Sequence, residues 1–324
     1  MEVPTPVPGP REMVVKIHAC GICGSDIVEW YRLPRAPLVQ GHEIGAEVVA
    51  VGSAVQRFKP SDRVFIPPKI PCGSCVYCVK GHFPQCAEIK ERLPGAFAEY
   101  VLVPEVFVEK GTYPLPDNIS YEQSTFIEPL ACAARAQRLA GVRKGDTVLV
   151  MGCGMSGLLH VKLAAARDCR VVAVDVNPMK LDFAAKAGAV MVVDGSEDIA
   201  ERLIAGNGRK ADIVVLCSSA RQAVEAAWRC VDKGGTVVLF AVPGPEEQVV
   251  VPVNDFWMKE ITILTSYYCG PPDIMEAMDL IGSGTVTVHD LITHRLPLDD
   301  IVEGFRLVSD GRESIKVIIE PHRK

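Results

Sequence analysis

The stretch Gly152-Cys153-Gly154-Met155-Ser156-Gly157 limits the possible folds of this chain more than any other. An apolar run over 146–151 precedes it, a helix-like segment over 156–167 follows, and a second apolar run ends on Asp175. A lone G-x-G-x-x-G carries little weight, because glycine turns occur in many α/β proteins. Strand, glycine turn, helix and an acid about 20 residues on supply the context of a dinucleotide-binding fingerprint. Gly152 permits the tight turn, Gly154 lets backbone approach a pyrophosphate, and Gly157 lets helix and strand pack closely. Ser156 opens the helix, whose free N–H groups and positive dipole end face the phosphates. The candidate cofactor contacts are therefore Gly152, Gly154, Ser156, Gly157 and Asp175.

The surrounding pattern repeats that unit. Strands are expected at 146–151, 170–175, 190–193, 212–217, 235–240 and 260–265, with helices at 156–167, 178–187, 197–205 and 221–231. This alternation predicts a doubly wound parallel (Rossmann) sheet with right-handed crossovers. Its near-continuous Val, Ile and Leu strands suit a sheet covered on both faces. Before residue 128 the chain reads differently, with short strands (13–18, 46–51), many Gly and Pro residues and little helical periodicity. That predicts a β-rich, barrel-like domain. A helix over 130–140 follows Glu128-Pro129, and helices near 273–281 and 298–309 lead to a closing strand over 315–319.

Two cysteine patterns bear on chemistry. Cys72, Cys75, Cys78 and Cys86 form Cys-x2-Cys-x2-Cys-x7-Cys, with Gly73 and Gly81 allowing sharp turns. Four thiolates around one ion leave no open position, which is the pattern of a structural zinc. An iron–sulfur cluster or paired disulfides are the competing readings. The second set is dispersed: Cys23, His42, Glu43 and Glu128. Three protein ligands plus water or substrate make a catalytic metal site, but each residue also has an ordinary structural reading, and Cys20 lies only three residues from Cys23. Spacing alone does not choose between those two thiols.

Taken in order, Gly-Ile-Cys-Gly-Ser-Asp (21–26), Gly-His-Glu (41–43), the four-cysteine lobe (72–86), Glu-Pro-Leu (128–130) and the glycine fingerprint with Asp175 resemble the zinc-dependent medium-chain alcohol dehydrogenase family. The chain is most similar to its polyol branch of sorbitol, threonine and butanediol dehydrogenases. The resemblance implies a GroES-like catalytic domain (1–128 and 268–324), a Rossmann NAD-binding domain (129–267), and an active site in the cleft between them. It implies that Cys23 and His42 ligate catalytic zinc and that Ser25 relays the alcohol proton. Glu43 or Glu128 would be the third ligand, and both remain candidates. It also implies one structural zinc in the lobe, NAD as hydride acceptor, and a homodimer or homotetramer. Lys180 matches a basic residue over the adenosine ribose, and a solvated helix-face lysine is the plain alternative. Three departures stand out. Val28 replaces a histidine of the proton route, Ala46 replaces a glycine, and the chain starts later than is usual in the family.

The expected function is hydride transfer from a secondary alcohol or polyol to NAD, giving a ketone. Asp175 would accept hydrogen bonds from the ribose and repel a 2′-phosphate, which favours NAD over NADP. The alternatives are an NADPH-preferring carbonyl reductase of the same fold and a non-catalytic NAD- and zinc-binding module. Composition narrows the partners. A net charge of −6 argues against a nucleic-acid surface. The absence of any run of about 18 apolar residues argues against a membrane span. The proline-rich start lacks the basic and apolar regions of a signal peptide, and twelve cysteines then suggest a reducing, cytoplasmic setting.

Overall fold

The structure, a computed structural model, describes residues 3–89 and 92–324. The chain divides into two compact units. One contains Met1–Glu128, Gly270–Gly284 and Val288–Lys324, and the other contains Pro129–Cys269 and Thr285–Thr287.

The first unit opens with β1 (Met13–Gly21), β2 (Glu43–Val51), β3 (Arg63–Phe65), β4 (Tyr100–Val103) and β5 (Tyr113–Pro114). Strand β1 runs past the expected end at 18, because Cys20 and Gly21 pair with Ile44 and Glu43 of β2. A turn-like Cys-Gly sequence is thus held extended by a partner elsewhere in the chain. The helices before residue 127 are short, the longest being Glu105–Lys110. The helix expected at 130–140 is Ile127–Leu139. Pro129 does not stop it, since proline is tolerated in a first turn whose N–H groups have no intrahelical acceptor.

The second unit holds β6 (Thr147–Met151), β7 (Arg170–Asp175), β8 (Met191–Asp194), β9 (Ala211–Leu216), β10 (Val231–Leu239) and β11 (Thr262–Thr265). They form one parallel sheet in the order β11-β10-β9-β6-β7-β8, with helices Met155–Ala166, Pro178–Lys186, Ile199–Asn207 and Arg221–Cys230 between successive strands. Leu149, Val172, Val214 and Val237 are fully buried across its middle. The order reverses between β6 and β9, the switch point where such sheets bind ligands beyond the strands' carboxyl ends.

The first sheet is completed by β12 (Ile292–Leu296) and β13 (Lys316–Ile319), giving the order β12-β13-β1-β2-β3-β5 with β4 also on β1. Cys20 pairs with Ile319 and Gly21 with Ile318. Strand β1 is therefore clasped between the beginning and the end of the chain.

Candidate functional site

Three side chains that could hold a metal ion converge beyond the end of β1. Cys23 caps the 3-10 turn Gly24–Ile27, with the Ser25 amide and hydroxyl donating to its Sγ at 3.5 and 3.4 Å. Glu43 starts β2 opposite Gly21, and His42 precedes it. Cys23, His42 and Glu43 each present a ligand atom within 4.8 Å of the others. Asp26, buried, ties the turn together. It accepts from the Cys23 amide at 3.1 Å, pairs with Arg32 at 2.6 Å and faces His42 Nδ1 at 3.4 Å. With Nδ1 engaged, Nε2 is the imidazole nitrogen left for a metal.

Electrostatics perturb two of these groups, His42 and Cys23. Burial opposes a charge on His42, but hydrogen bonds to Asp26 and Cys23 outweigh it and hold the imidazole well above its usual value. Burial, then the Glu43 charge, raises the Cys23 thiol. Glu43 is fully buried. Its Oε2 is ion-paired with Lys316, equally buried, whereas its Oε1 has no hydrogen-bond partner. An orphaned carboxylate oxygen beside a thiol and an imidazole is a fault for a closed core but suits a site that takes a cation.

The four-cysteine lobe is a separate cluster. The sulfurs of Cys72, Cys75, Cys78 and Cys86 lie within 4.8 Å of one another, with Cys72–Cys78 at 3.9 Å and Cys75–Cys86 at 4.0 Å. A tetrahedron with Zn–S bonds of about 2.3 Å has edges of about 3.8 Å. At these separations neither pair is a disulfide, whose S–S bond is about 2.05 Å. Backbone amides of Ser74 and Cys75 donate to Cys72 Sγ and lower its pKa to about 6, while burial pushes Cys78 up to about 12.

The second unit carries a cavity of about 420 Å³ lined by Gly152, Asp175, Glu197, Asp198, Ser218 and Arg229, among others. Gly152 has φ +96°, and a Cβ on Gly157 would collide with the Gly152 carbonyl. Open space lies where a Gly154 side chain would point. Ser156 lies in the first turn of Met155–Ala166. Asp175 accepts from the amides of Cys153 at 2.7 Å and Asn177 at 2.9 Å, and each oxygen keeps a further lone pair. Lys180 is half-buried within electrostatic reach of Cys153.

Residues 9–117 match the alcohol dehydrogenase GroES-like domain, and residues 157–283 match the zinc-binding dehydrogenase family. Sheep sorbitol dehydrogenase is 32% identical over 98% of this chain and 91% of its own length. D-xylulose reductase A of Aspergillus oryzae is 32% identical over 97% and 91%. A solved structure from Sinorhizobium meliloti with NADP bound superposes with a TM-score of 0.87 at 31% identity, covering 98% of this chain and 94% of that one. This chain belongs to the zinc-dependent medium-chain dehydrogenases. It is an alcohol or polyol oxidoreductase that uses zinc and a nicotinamide cofactor.

Within this dehydrogenase, Glu128 does not join the group formed by Cys23, His42 and Glu43. It lies buried in the first turn of Ile127–Leu139, within electrostatic reach of Lys69. Cys20 is fully buried in the apolar core of the sheet, whereas Cys23 is half-buried with its sulfur in the donor group. Three residues of the site escaped sequence reasoning. Asp26 stood in the Cys23 motif without a role, and Arg32 carried no signal. Lys316 had one: a cation within the apolar run 315–319.

Proposed function

We infer that this enzyme oxidises a secondary alcohol or polyol to a ketone, with NAD as hydride acceptor. The observation that carries this reading is the buried Glu43 carboxylate, whose Oε1 lacks a partner beside Cys23 and His42. On this reading Cys23, His42 and Glu43 hold the catalytic metal, and the four cysteines hold a structural one. Zinc at the first site supplies Lewis acidity that lowers the pKa of an alcohol. Asp26 orients His42 through Nδ1, which leaves Nε2 for the ion. Ser25 relays the alcohol proton, accepting it on Oγ as its own hydroxyl proton passes onward; that oxygen also accepts from Arg32 Nη2 at 3.0 Å.

In the second unit, Gly152, Gly154, Ser156 and Gly157 receive the pyrophosphate, Asp175 the ribose, and Lys180 flanks the adenosine side. NADP in the Sinorhizobium meliloti relative favours a second reading, an NADPH-preferring reductase. The acids of this chain weigh against it. Asp175, Glu197 and Asp198 line one cavity, and its Arg229 is already ion-paired to Asp198, so a 2′-phosphate would meet net negative charge.

Assembly as a homodimer or homotetramer is supported by β11, which pairs only with β10 and leaves Ile263 exposed. Trp257 and Met258 of the helix Val253–Lys259, which precedes β11, are 80% and 69% exposed. Among the described residues none of the twelve cysteines is in a disulfide, which favours the reducing cytoplasm. Among the described residues, no helix is long and apolar enough to cross a membrane.

NADH appearance at a panel of secondary alcohols, polyols and threonine, with NAD or NADP, tests the proposal. Turnover should require NAD, vanish on chelation and return with zinc. Turnover that survives complete zinc removal would sink it, and a preference for NADP would establish the second reading.

A further inference from the structure

Lys316 sits in the middle of a closed apolar wall. Strand β13, Lys-Val-Ile-Ile, is buried at all four positions, and Lys316 itself is fully inaccessible. An ammonium without a partner would not be kept there. It has two: Glu43 Oε2 and the face of Phe126, whose ring centre lies 5.0 Å from Nζ. The room for this contact comes from Gly21, where a Cβ would collide with both Glu43 Oε2 and Lys316 Nζ. Three strands therefore cooperate on one carboxylate. Strand β2 supplies it, β13 supplies the cation, and β1 leaves out a side chain.

The contact is lopsided. Lys316 engages Oε2 and leaves Oε1 without a partner in a group that includes Cys23 and His42. The charges also have a logic. A Cys23 thiolate and a Glu43 carboxylate beside a neutral imidazole carry two negative charges, enough to neutralise a divalent ion. Lys316 removes one of them, so the occupied site keeps a net positive charge and remains a stronger Lewis acid.

We propose that Lys316 is a positioning residue for the metal centre: it anchors Glu43 through Oε2 so that Oε1 alone is presented to the ion, and it keeps the occupied site cationic. This rests on the reading of Cys23, His42 and Glu43 as metal ligands. Such outer partners of a ligand typically change metal affinity by about 10- to 100-fold.

The test is zinc affinity by competition with a chromophoric chelator, together with the visible spectrum of the cobalt-substituted enzyme. Lys316→Met should weaken one zinc by about 10- to 100-fold, leave the other unchanged, and shift the cobalt bands. Lys316→Arg should restore both readouts. In a Glu43→Gln background the Lys316→Met change should have a much smaller effect on zinc affinity, because the carboxylate it anchors is gone and only its charge remains. If Lys316→Met does not fold, Lys316→Gln, which keeps a donor to Oε2 without the charge, should hold zinc affinity near wild type and still shift the cobalt bands. A variant that only melts earlier, with wild-type zinc affinity and cobalt spectrum, would show a structural role and overturn the proposal. Failure of the underlying site looks different. In that case Cys23→Ser would retain the same zinc content as the wild type.

Discussion

The two metal clusters of the catalytic unit are built in opposite ways. The four-cysteine lobe draws all its donors from 72–86, on turns where backbone amides already point at sulfur. The Cys23–His42–Glu43 group draws donors from two strand ends and depends on Asp26, Arg32 and Lys316 for charge and orientation. On the proposed assignment the first is a self-contained clasp that would close its ion off with sulfur, and the second a pocket whose donors are held from behind and would leave a position open. A local clasp should contribute stability, and a supported open site should contribute chemistry.

The largest break in that comparison should come from Cys23→Ser. Loss of a Lewis acid worth several kcal/mol predicts a fall in kcat/KM of at least about 10³-fold, with NAD affinity within a few-fold of wild type by fluorescence titration. Lost NAD binding would mean that the metal and nucleotide sites are misassigned. Cys86→Ala should do the reverse. Structural zinc contributes directly to folding, so the thermal midpoint should drop by about 5 °C or more while the remaining zinc still supports turnover. A stable variant that loses only chemistry would exchange the roles of the two clusters.

A smaller effect is expected behind the pocket. Asp26→Asn keeps the shape but removes the charge that orients His42, and zinc affinity should fall by about 10- to 100-fold. Unchanged affinity would show that Arg32 and the turn alone hold the geometry. The smallest effect lies within the clasp. In chelated protein Cys72, with a pKa of about 6, is thiolate at neutral pH, while Cys78 near 12 is thiol. The thiolate fraction rises as pH passes upward through the pKa. Iodoacetamide should therefore label Cys72 first, with its rate climbing between about pH 5 and 7 and levelling above. Equal labelling of the two would contradict the amide-donor account of the lobe.

How much of this was legible depended on sequence distance. The six strands of the nucleotide-binding sheet and the four helices between β6 and β10 could be read to within a few residues, because Val-rich runs and helical stretches alternate locally, whereas the short helix Val253–Lys259 before β11 was missed. The start of Ile127–Leu139 was misread because a proline looks like a boundary unless the satisfied and unsatisfied N–H groups are counted. Cys20 and Cys23 were indistinguishable by spacing. The pairing of β1 buries one in the core and leaves the other in the turn beyond the strand. Glu43 and Glu128 were equally eligible until the fold grouped one of them with Cys23 and His42.

By itself, then, the sequence determined the parts whose determinants lie close together: the glycine fingerprint with Asp175, the βα alternation and the four-thiol lobe. Turn, helix and ligand spacing act over a few to a few tens of residues. Only the tertiary structure decided which thiol and which acid share a site, and that a lysine 273 residues from Glu43 stands behind it. A buried charge is tolerable only beside its partner, and that partner is supplied by strand pairing between the two ends of the chain.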